Sequence, residues 1–204
     1  NVEILTAPRH KIWIKTQARL DAAKALGRSG KEDAVIPLLQ AMARSALADR
    51  GVHLLIAGSG PMGDQLRELA HSLGISPRVH FLGHREDVPE ILAASTVVVL
   101  PSTWGEGVPQ AILQALALER PVVASDVAGI RQVVRNGETG LLGAPDDPEA
   151  LAEAAARLIE SPALGRALGA AGRAVVRARH SVERMADAME GVYRELLGKA
   201  CESS

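Results

Sequence analysis

Short apolar runs alternate along most of this chain with longer segments in which apolar residues recur at helical spacing. The run Thr96–Leu100 is continuously apolar after its first residue and mostly β-branched, as in a strand that is buried on both faces. Such alternation is typical of βα units around a parallel sheet. The predicted strands are Ile12–Lys15, Val52–Ala57, Val79–Leu82, Thr96–Leu100, Pro121–Ala124 and Gly140–Leu142.

Helical periodicity fills the segments between these strands and continues without a further strand after residue 142. Asp147 followed by Pro148 predicts a helix start, because aspartate caps helices and proline suits the first helical position. The predicted helices are Asp33–Leu47, Gly63–Leu73, Val88–Ala94, Pro109–Leu118, Ile130–Val134, Pro148–Glu160, Ala163–Arg179 and Val182–Leu197. The predicted fold class is therefore α/β, a Rossmann-like parallel sheet with flanking helices and a helical carboxyl-terminal tail from about residue 148. Residues 1–11 form a weakly patterned lead-in.

Composition excludes several classes of protein. The chain has 204 residues, with 23 Lys and Arg against 24 Asp and Glu, which argues against a protein that grips nucleic acid through its phosphates. Its single cysteine, Cys201, excludes a disulfide scaffold and a cysteine-based zinc site. No run approaches the roughly 18 apolar residues of a membrane helix, and the first residues lack a signal-peptide pattern. The expected compartment is the cytoplasm.

A glycine-rich loop follows the second predicted strand. Gly58, Gly60 and Gly63 have the spacing G-x-G-x-x-G between a strand and a helix, as in dinucleotide-binding sites. Two features weaken this interpretation: the loop is not on the first βα unit, and the next strand does not end in an acidic residue. The alternatives are a tight turn that lines a cleft and the cofactor loop of an NAD-dependent oxidoreductase.

Two cations follow the first predicted strand, at the edge where open α/β sheets bind ligands. Arg19 could bind a phosphate through two of its guanidinium nitrogens, and Lys24 could act as a point charge on a second phosphate. The alternative is that both are solvated charges on a loop and helix start.

The loop after Thr96–Leu100 carries the most informative pattern. Gly105 and Gly107 allow a sharp turn and a close approach to a ligand. The following helix start would direct free backbone amides at an anion, and these belong to Gly107, Val108, Gln110 and Ala111. Glu106 is placed to accept hydrogen bonds from sugar hydroxyls. The alternative is that it merely caps the helix through a favourable interaction with the helix dipole. Gln110 and Gln114 are four apart and share a helix face.

The motifs of the body, taken in order, are specific to one family. They are Leu55–Pro61, Val79–Gly83, Val99–Ser102 with Gly105–Gly107, Pro121–Ser125, Gly129–Ile130 and Asn136–Leu142, preceded by Arg19 and Lys24. The chain thereby resembles the carboxyl-terminal, donor-binding lobe of retaining GT-B glycosyltransferases of family 4. The resemblance covers about Ile12 to Leu197, and residues 12–198 are the predicted lobe.

The resemblance implies a role for each matching residue. Arg19 and Lys24 would hold the donor diphosphate and stabilise it as a leaving group, and Glu106 would contact the donor sugar. The further donor-binding residues expected are Gly58, Gly60, His84, Arg85, Gly107, Val108, Pro109, Gln110 and Gln114. His84 and Arg85 would border the base. Gln114 replaces a second family glutamate that binds ribose, and its neutral amide loses a charge-assisted bond.

The resemblance also implies a function. The expected activity is transfer of a hexosyl sugar from a nucleoside diphosphate sugar to an acceptor, with retention, in polysaccharide or glycolipid synthesis. No cofactor and no metal are expected, since the six histidines are scattered without metal-ligand spacing. The expected partners are the nucleotide-sugar donor and an absent amino-terminal acceptor lobe, through which the protein would contact the inner face of the membrane. Without that lobe we expect no turnover. A non-catalytic module that binds nucleotide sugars is a third alternative.

Overall fold

The structure, a computed structural model, describes residues 11–15, 35–48, 50–102 and 107–202. The described strands form one parallel sheet of six in the order β3-β2-β1-β4-β5-β6. They are β1 (Lys11–Lys15), β2 (His53–Ala57), β3 (Val79–Gly83), β4 (Val97–Leu100), β5 (Val122–Ser125) and β6 (Leu141–Gly143). Each predicted strand is confirmed to within one residue at either end. Lys11 belongs to β1, although it was placed in the lead-in by its pattern.

The helices occupy the segments where apolar residues recur at helical spacing. They are α1 (Val35–Ala43), α2 (Ser45–Ala48), α3 (Gly63–Ser72), α4 (Val88–Ala93), α5 (Gln110–Ala117), α6 (Ala128–Arg131), α7 (Pro148–Glu160), α8 (Pro162–Arg179) and α9 (Val182–Glu202). Two predictions need correction. The helix predicted over Asp33–Leu47 is interrupted at Arg44, and α6 begins two residues before Ile130 and ends at Arg131. A short 3₁₀ turn, Ser76–Arg78, was not predicted.

The sheet is covered on both faces, which explains its nearly continuous apolar strands. Along β4, Val97 and Val99 belong to a core cluster with α1, α3 and α7. Val98 belongs to a second cluster with α4, α5 and α6. The alternation of one strand between two clusters shows that the apolar core consists of a layer on each side of the sheet.

The strand order reverses between β1 and β4, which are paired through Ile12 with Val97 and Trp13 with Val98. The first described helix after β1 packs on one face of the sheet, and the helix after β4 packs on the other. A neighbouring pair of strands followed by helices on opposite faces is a topological switch point, and a crevice is expected at its carboxyl ends. In open α/β sheets this switch point is where ligands bind.

The helical tail predicted from residue 148 is confirmed. Asp147 caps α7, with its Oδ1 accepting a hydrogen bond from the Ala150 backbone N–H at 3.0 Å. α8 packs on α5. Every residue of α9 from Val182 to Leu197 is exposed. None of the described helices is long and apolar enough to cross a bilayer.

Candidate functional site

The switch point between β1 and β4 is where the sequence analysis places the charged residues expected to bind the donor. β1 ends at Lys15, and Arg19 follows it by four positions and Lys24 by nine. Arg19, Lys24 and Glu106 all lie outside the described residues, so their convergence stays a prediction. What the structure provides is the pair of neighbouring strands from which their segments depart.

The described residues between β4 and α5, which are 101–102 and 107–109, lie on the β4 side of the switch point. Pro101 and Ser102 are buried directly after the strand, and Gly107 is exposed. Pro109 has an extended backbone, with ψ at 125°, and ends the loop by accepting hydrogen bonds from the amides of Ile112 and Leu113 at 3.1 and 3.3 Å. The predicted helix therefore begins one residue later than Pro109.

The first two amides of α5 precede these bonds. Helix geometry leaves the N–H groups of Gln110 and Ala111 directed out of the helix N-terminus, toward the carboxyl edge of the sheet. The helix is held in place by four buried side chains, which are those of Ala111, Ile112, Ala115 and Leu116. Its tip is therefore a fixed source of positive potential beside the crevice.

Gln114 carries a buried polar atom that has no partner among the described residues. Its Oε1 is shielded from solvent and accepts no hydrogen bond from any described residue, whereas Gln110 one turn earlier is exposed. Buried side-chain acceptors are normally satisfied. An unsatisfied acceptor on the second turn of α5 fits a hydroxyl-bearing ligand. The Oγ atom of Ser125, at the end of β5, is also buried and has no hydrogen-bond partner among the described residues.

The glycine loop after β2 is joined to the end of β3. Gly58, with φ at 133°, donates its backbone N–H to the carbonyl oxygen of Gly83 at 2.7 Å, and Gly83 has φ at 69°. Both angles suit only glycine without strain. Gly60 is exposed in the same loop, and its carbonyl accepts a bond from Gly63 at 3.3 Å. The loop departs from β2, not from the switch-point pair, which disfavours the dinucleotide interpretation.

The predicted base-contact residues follow β3. His84 is exposed, whereas Arg85 is half-buried and binds Asp87 through two of its nitrogens. The distance from Nε of Arg85 to Oδ1 of Asp87 is 2.7 Å. The hydrogen bond from Arg85 to Asp87 holds the pKa of the Asp87 carboxyl below its ordinary value. The same hydrogen bond raises the pKa of the Arg85 guanidinium. Sequence reasoning did not find this ion pair.

A cavity of about 440 Å³ lies beyond the carboxyl ends of β5 and β6. Arg131 and Arg135 line it, but both are already paired. Arg131 binds Asp126 at 2.5 Å, and Arg135 approaches Glu138 at 3.5 Å. Because its cations are neutralised by neighbouring carboxylates, we assign no phosphate group to this cavity.

A metal centre finds no support in the part of the chain that the structure describes, where no three His, Cys, Asp or Glu side chains cluster. His53 and His80 do meet, with Nδ1 and Nε2 at 2.8 Å, but they bond each other. Catalysis without a metal stays a prediction.

Fold and site together define a Rossmann-like α/β lobe, with a switch point between β1 and β4 beside a helix N-terminus. The family model described as glycosyl transferases group 1 matches residues 24–161, and the chain belongs to that family.

Individual relatives agree with this membership. A lipopolysaccharide core biosynthesis glycosyltransferase of Rhizobium meliloti is 32% identical over 90% of this chain and 52% of its own length. Sucrose-phosphate synthase from Thermosynechococcus elongatus is 29% identical, with a TM-score of 0.78 over 94% of this chain and 46% of that one. Anabaena HepE, solved with UDP and glucose, is 25% identical, with a TM-score of 0.74 over 93% of this chain and 50% of that one. The chain thus spans about half the length of these proteins.

Proposed function

We propose that this chain is the donor-binding lobe of a retaining glycosyltransferase that moves a sugar from a nucleoside diphosphate sugar to an acceptor in polysaccharide or glycolipid synthesis. The observation that carries the proposal is the switch point between β1 and β4, with the start of α5 fixed beside it. The UDP and glucose in Anabaena HepE, and the lipopolysaccharide role in the name of the Rhizobium relative, support this substrate class.

The chemistry would be electrostatic. Departure of the nucleoside diphosphate leaves negative charge on the β-phosphate, which Arg19, Lys24 and the amides at the start of α5 would stabilise. Preorganised donors of this kind do not have to reorient as the bond breaks. Glu106 would orient the sugar through its hydroxyls, and Gln114 would accept a hydrogen bond from the ribose.

The acceptor would bind to the other half of the protein, and the exposed surface of α9 indicates where the two halves would pack. Seven large apolar side chains of α9 are exposed, and they are Val182, Met185, Met189, Val192, Tyr193, Leu196 and Leu197. They recur at helical spacing and so form one apolar face, which is unusual unless another surface covers it. This α9 apolar face suits packing against the lobe that closes the cleft. Without that lobe we expect donor binding but no turnover.

The test is a titration of the full-length protein with UDP, GDP, ADP and NAD, followed by calorimetry. We expect one nucleoside diphosphate to bind and NAD not to bind. Arg19→Ala and Lys24→Ala should each weaken that binding by roughly 10-fold or more, since charge-assisted bonds contribute about 1.5–3 kcal/mol. Arg166→Ala, which removes an exposed arginine on α8, is the matched control and should bind normally.

Two results would overturn the proposal. One is binding of NAD without any nucleoside diphosphate, which would favour the oxidoreductase. The other is unchanged binding in both cation variants, which would remove the diphosphate site. Transfer of sugar by the full-length protein, and its loss in Glu106→Ala, separates a catalyst from a binding module.

A further inference from the structure

The cavity beyond β5 and β6 has the size of a small-ligand site. Its volume is about 440 Å³, within the range of roughly 300–1,000 Å³ that is usual for ligand pockets. Val134 and Leu142 contribute apolar surface to it, and Asp126, Arg131 and Asn136 contribute polar groups. Ligand pockets commonly combine apolar lining with a few polar groups that orient the ligand. The hydrogen bonds that these polar groups already make decide which ligand they fit.

Asp126 and Arg131 hold each other in place. The Nε atom of Arg131 donates to Oδ1 of Asp126 at 2.5 Å, and its Nη2 atom donates to the backbone carbonyl oxygen of Asp126 at 3.2 Å. Oδ2 of Asp126 and Nη1 of Arg131 make no hydrogen bond with any described residue. The pair therefore keeps one free acceptor and one free donor, while its opposite charges balance each other.

Asn136 adds a donor whose orientation is fixed. Its Oδ1 accepts from the backbone N–H of Leu142, in β6, at 3.0 Å. That bond leaves Nδ2 as a donor, and Nδ2 bonds no described residue. Asp126 directly follows β5, and its backbone N–H donates to the carbonyl oxygen of Gly143, in β6, at 2.8 Å. The sheet therefore sets the spacing between the free donor of Asn136 and the free acceptor of Asp126.

Neutral hydroxyls fit this set of groups better than an anion does. A sugar hydroxyl both donates and accepts hydrogen bonds, so neighbouring hydroxyls of one sugar can donate to Oδ2 of Asp126 and accept from Nδ2 of Asn136. An anion would instead be repelled by the Asp126 carboxylate. Arg135, which also lines the cavity, is balanced by Glu138. The chemistry of the cavity therefore favours a neutral saccharide.

The cavity and the switch point lie at the same edge of the sheet. β5 is the neighbour of β4, and β6 is the next strand. At the usual strand spacing the cavity is therefore about 5–10 Å along this edge from β4. It lies on the side away from β2 and its glycine loop. A glycan whose reacting end lies at the switch point could place another of its sugar residues in the cavity.

We propose that this cavity is a subsite for a neutral sugar residue of the acceptor glycan, remote from the hydroxyl that receives the transferred sugar. The reacting end of the acceptor would still bind to the other half of the protein. The inference rests on the proposed function, because it takes the acceptor to be a glycan. The subsite uses neither Arg19 nor Lys24, so its failure and that of the donor site are distinguishable.

The experiment measures the binding of four neutral sugars to the full-length protein by ligand-observed NMR. The probes are methyl α-glucoside, methyl α-mannoside, methyl α-galactoside and N-acetylglucosamine, and inorganic phosphate is the anionic probe. Every titration is made with the donor site saturated by the nucleotide sugar that binds best. We expect at least one sugar to bind under these conditions and phosphate not to bind.

Two variants locate the sugar. Asn136→Asp keeps the oxygen that accepts from Leu142 but replaces the Nδ2 donor with a second oxygen, and it should weaken sugar binding by about fivefold. Asp126→Ala should weaken it by at least as much and should allow phosphate to bind, because Arg131 loses its counter-charge. Asp64→Ala is the matched control, since it removes an exposed aspartate that pairs with Arg67 on α3. It should change neither ligand.

Three results would overturn the inference alone. They are the failure of all four sugars to bind, unchanged sugar binding in Asn136→Asp, and displacement of the bound sugar by the nucleotide sugar, which would assign it to the donor site. If Asp126→Ala fails to fold, Asn136→Asp carries the test. A full-length protein that binds no nucleoside diphosphate and no nucleotide sugar would overturn the proposed function, and the assignment to an acceptor glycan with it.

Discussion

The backbone of Glu119 leaves no room for a side chain at Gly169. A Cβ atom at Gly169 would stand 2.2 Å from the carbonyl oxygen of Glu119, in the turn that follows α5. Three residues further along α8, a Cβ at Gly172 would stand 2.4 Å from Cδ2 of Leu116 on α5. Arg173 of α8 binds the Glu119 carboxylate at 2.7 Å. These close approaches show how α8 fixes the position of α5, whose start faces the proposed diphosphate.

Gly169→Ala should destabilise the fold. The obstacle is backbone, which cannot rotate away, so α8 must shift, and overpacking of this kind costs about 1–3 kcal/mol. Gly191→Ala is the control, because nothing lies within 4 Å of a Cβ on that exposed helix. It should be neutral or stabilise α9 by roughly 0.5–1 kcal/mol. Urea unfolding measures both, and equal free energies for the two variants would contradict the packing described.

The start of α7 depends on Asp147. Asp147→Ala removes the acceptor of the Ala150 amide and should lower the free energy of unfolding by about 1 kcal/mol. Asp147→Asn should retain most of the stability, because asparagine caps about as well. The measurement is urea unfolding of the three proteins. An Asn variant as unstable as the Ala variant would show that charge matters more than the cap.

The elements of this fold were predictable because each carries its own signal. The continuous apolar run Val97–Leu100 predicts β4, and the capping residue Asp147 predicts the first residue of α7. The break at Arg44 was not predictable, because apolar spacing continues through it into Leu47. The early start of α6 at Ala128 was missed because its first residues have weak helical periodicity.

The site was predictable only where sequence neighbours suffice. The loop from Gly107 into α5 was found from its glycine and proline. The pair of Arg85 with Asp87, and the meeting of His53 with His80 across two strands, depend on side-chain orientation and strand register, which spacing does not reveal. The placement of Arg19, Lys24 and Glu106 stays a prediction.

The pair formed by His53 and His80 should make stability depend on pH. Burial lowers the pKa of His80 from the ordinary value of 6.5. Between that value and the lower folded one, the unfolded chain binds more protons than the folded chain, so stability falls as the pH falls. A second proton would also place two donors face to face across the 2.8 Å contact between the rings.

His80→Gln should therefore lose less stability than the wild type between pH 7.5 and pH 5.5, as measured by urea unfolding at both values. His71→Gln, which changes an exposed histidine on α3, is the control and should follow the wild type. The comparison between proteins cancels the general acid sensitivity of the carboxylates. A His80→Gln variant with the wild-type pH dependence would show that the pair does not titrate in this range.

Gln114 gives the sharpest test of how the proposed donor is held. Its unpartnered Oε1 would accept a ribose hydroxyl, and a carboxylate at the same position would do so with charge assistance. Gln114→Glu should therefore tighten nucleoside diphosphate binding by roughly fivefold, corresponding to about 1 kcal/mol. Gln114→Leu should weaken it by a similar factor. With a 2′,3′-dideoxynucleoside diphosphate the three proteins should bind alike, because the hydroxyls are gone. If the differences persist with that ligand, Gln114 acts on the fold of α5 and does not touch the ribose.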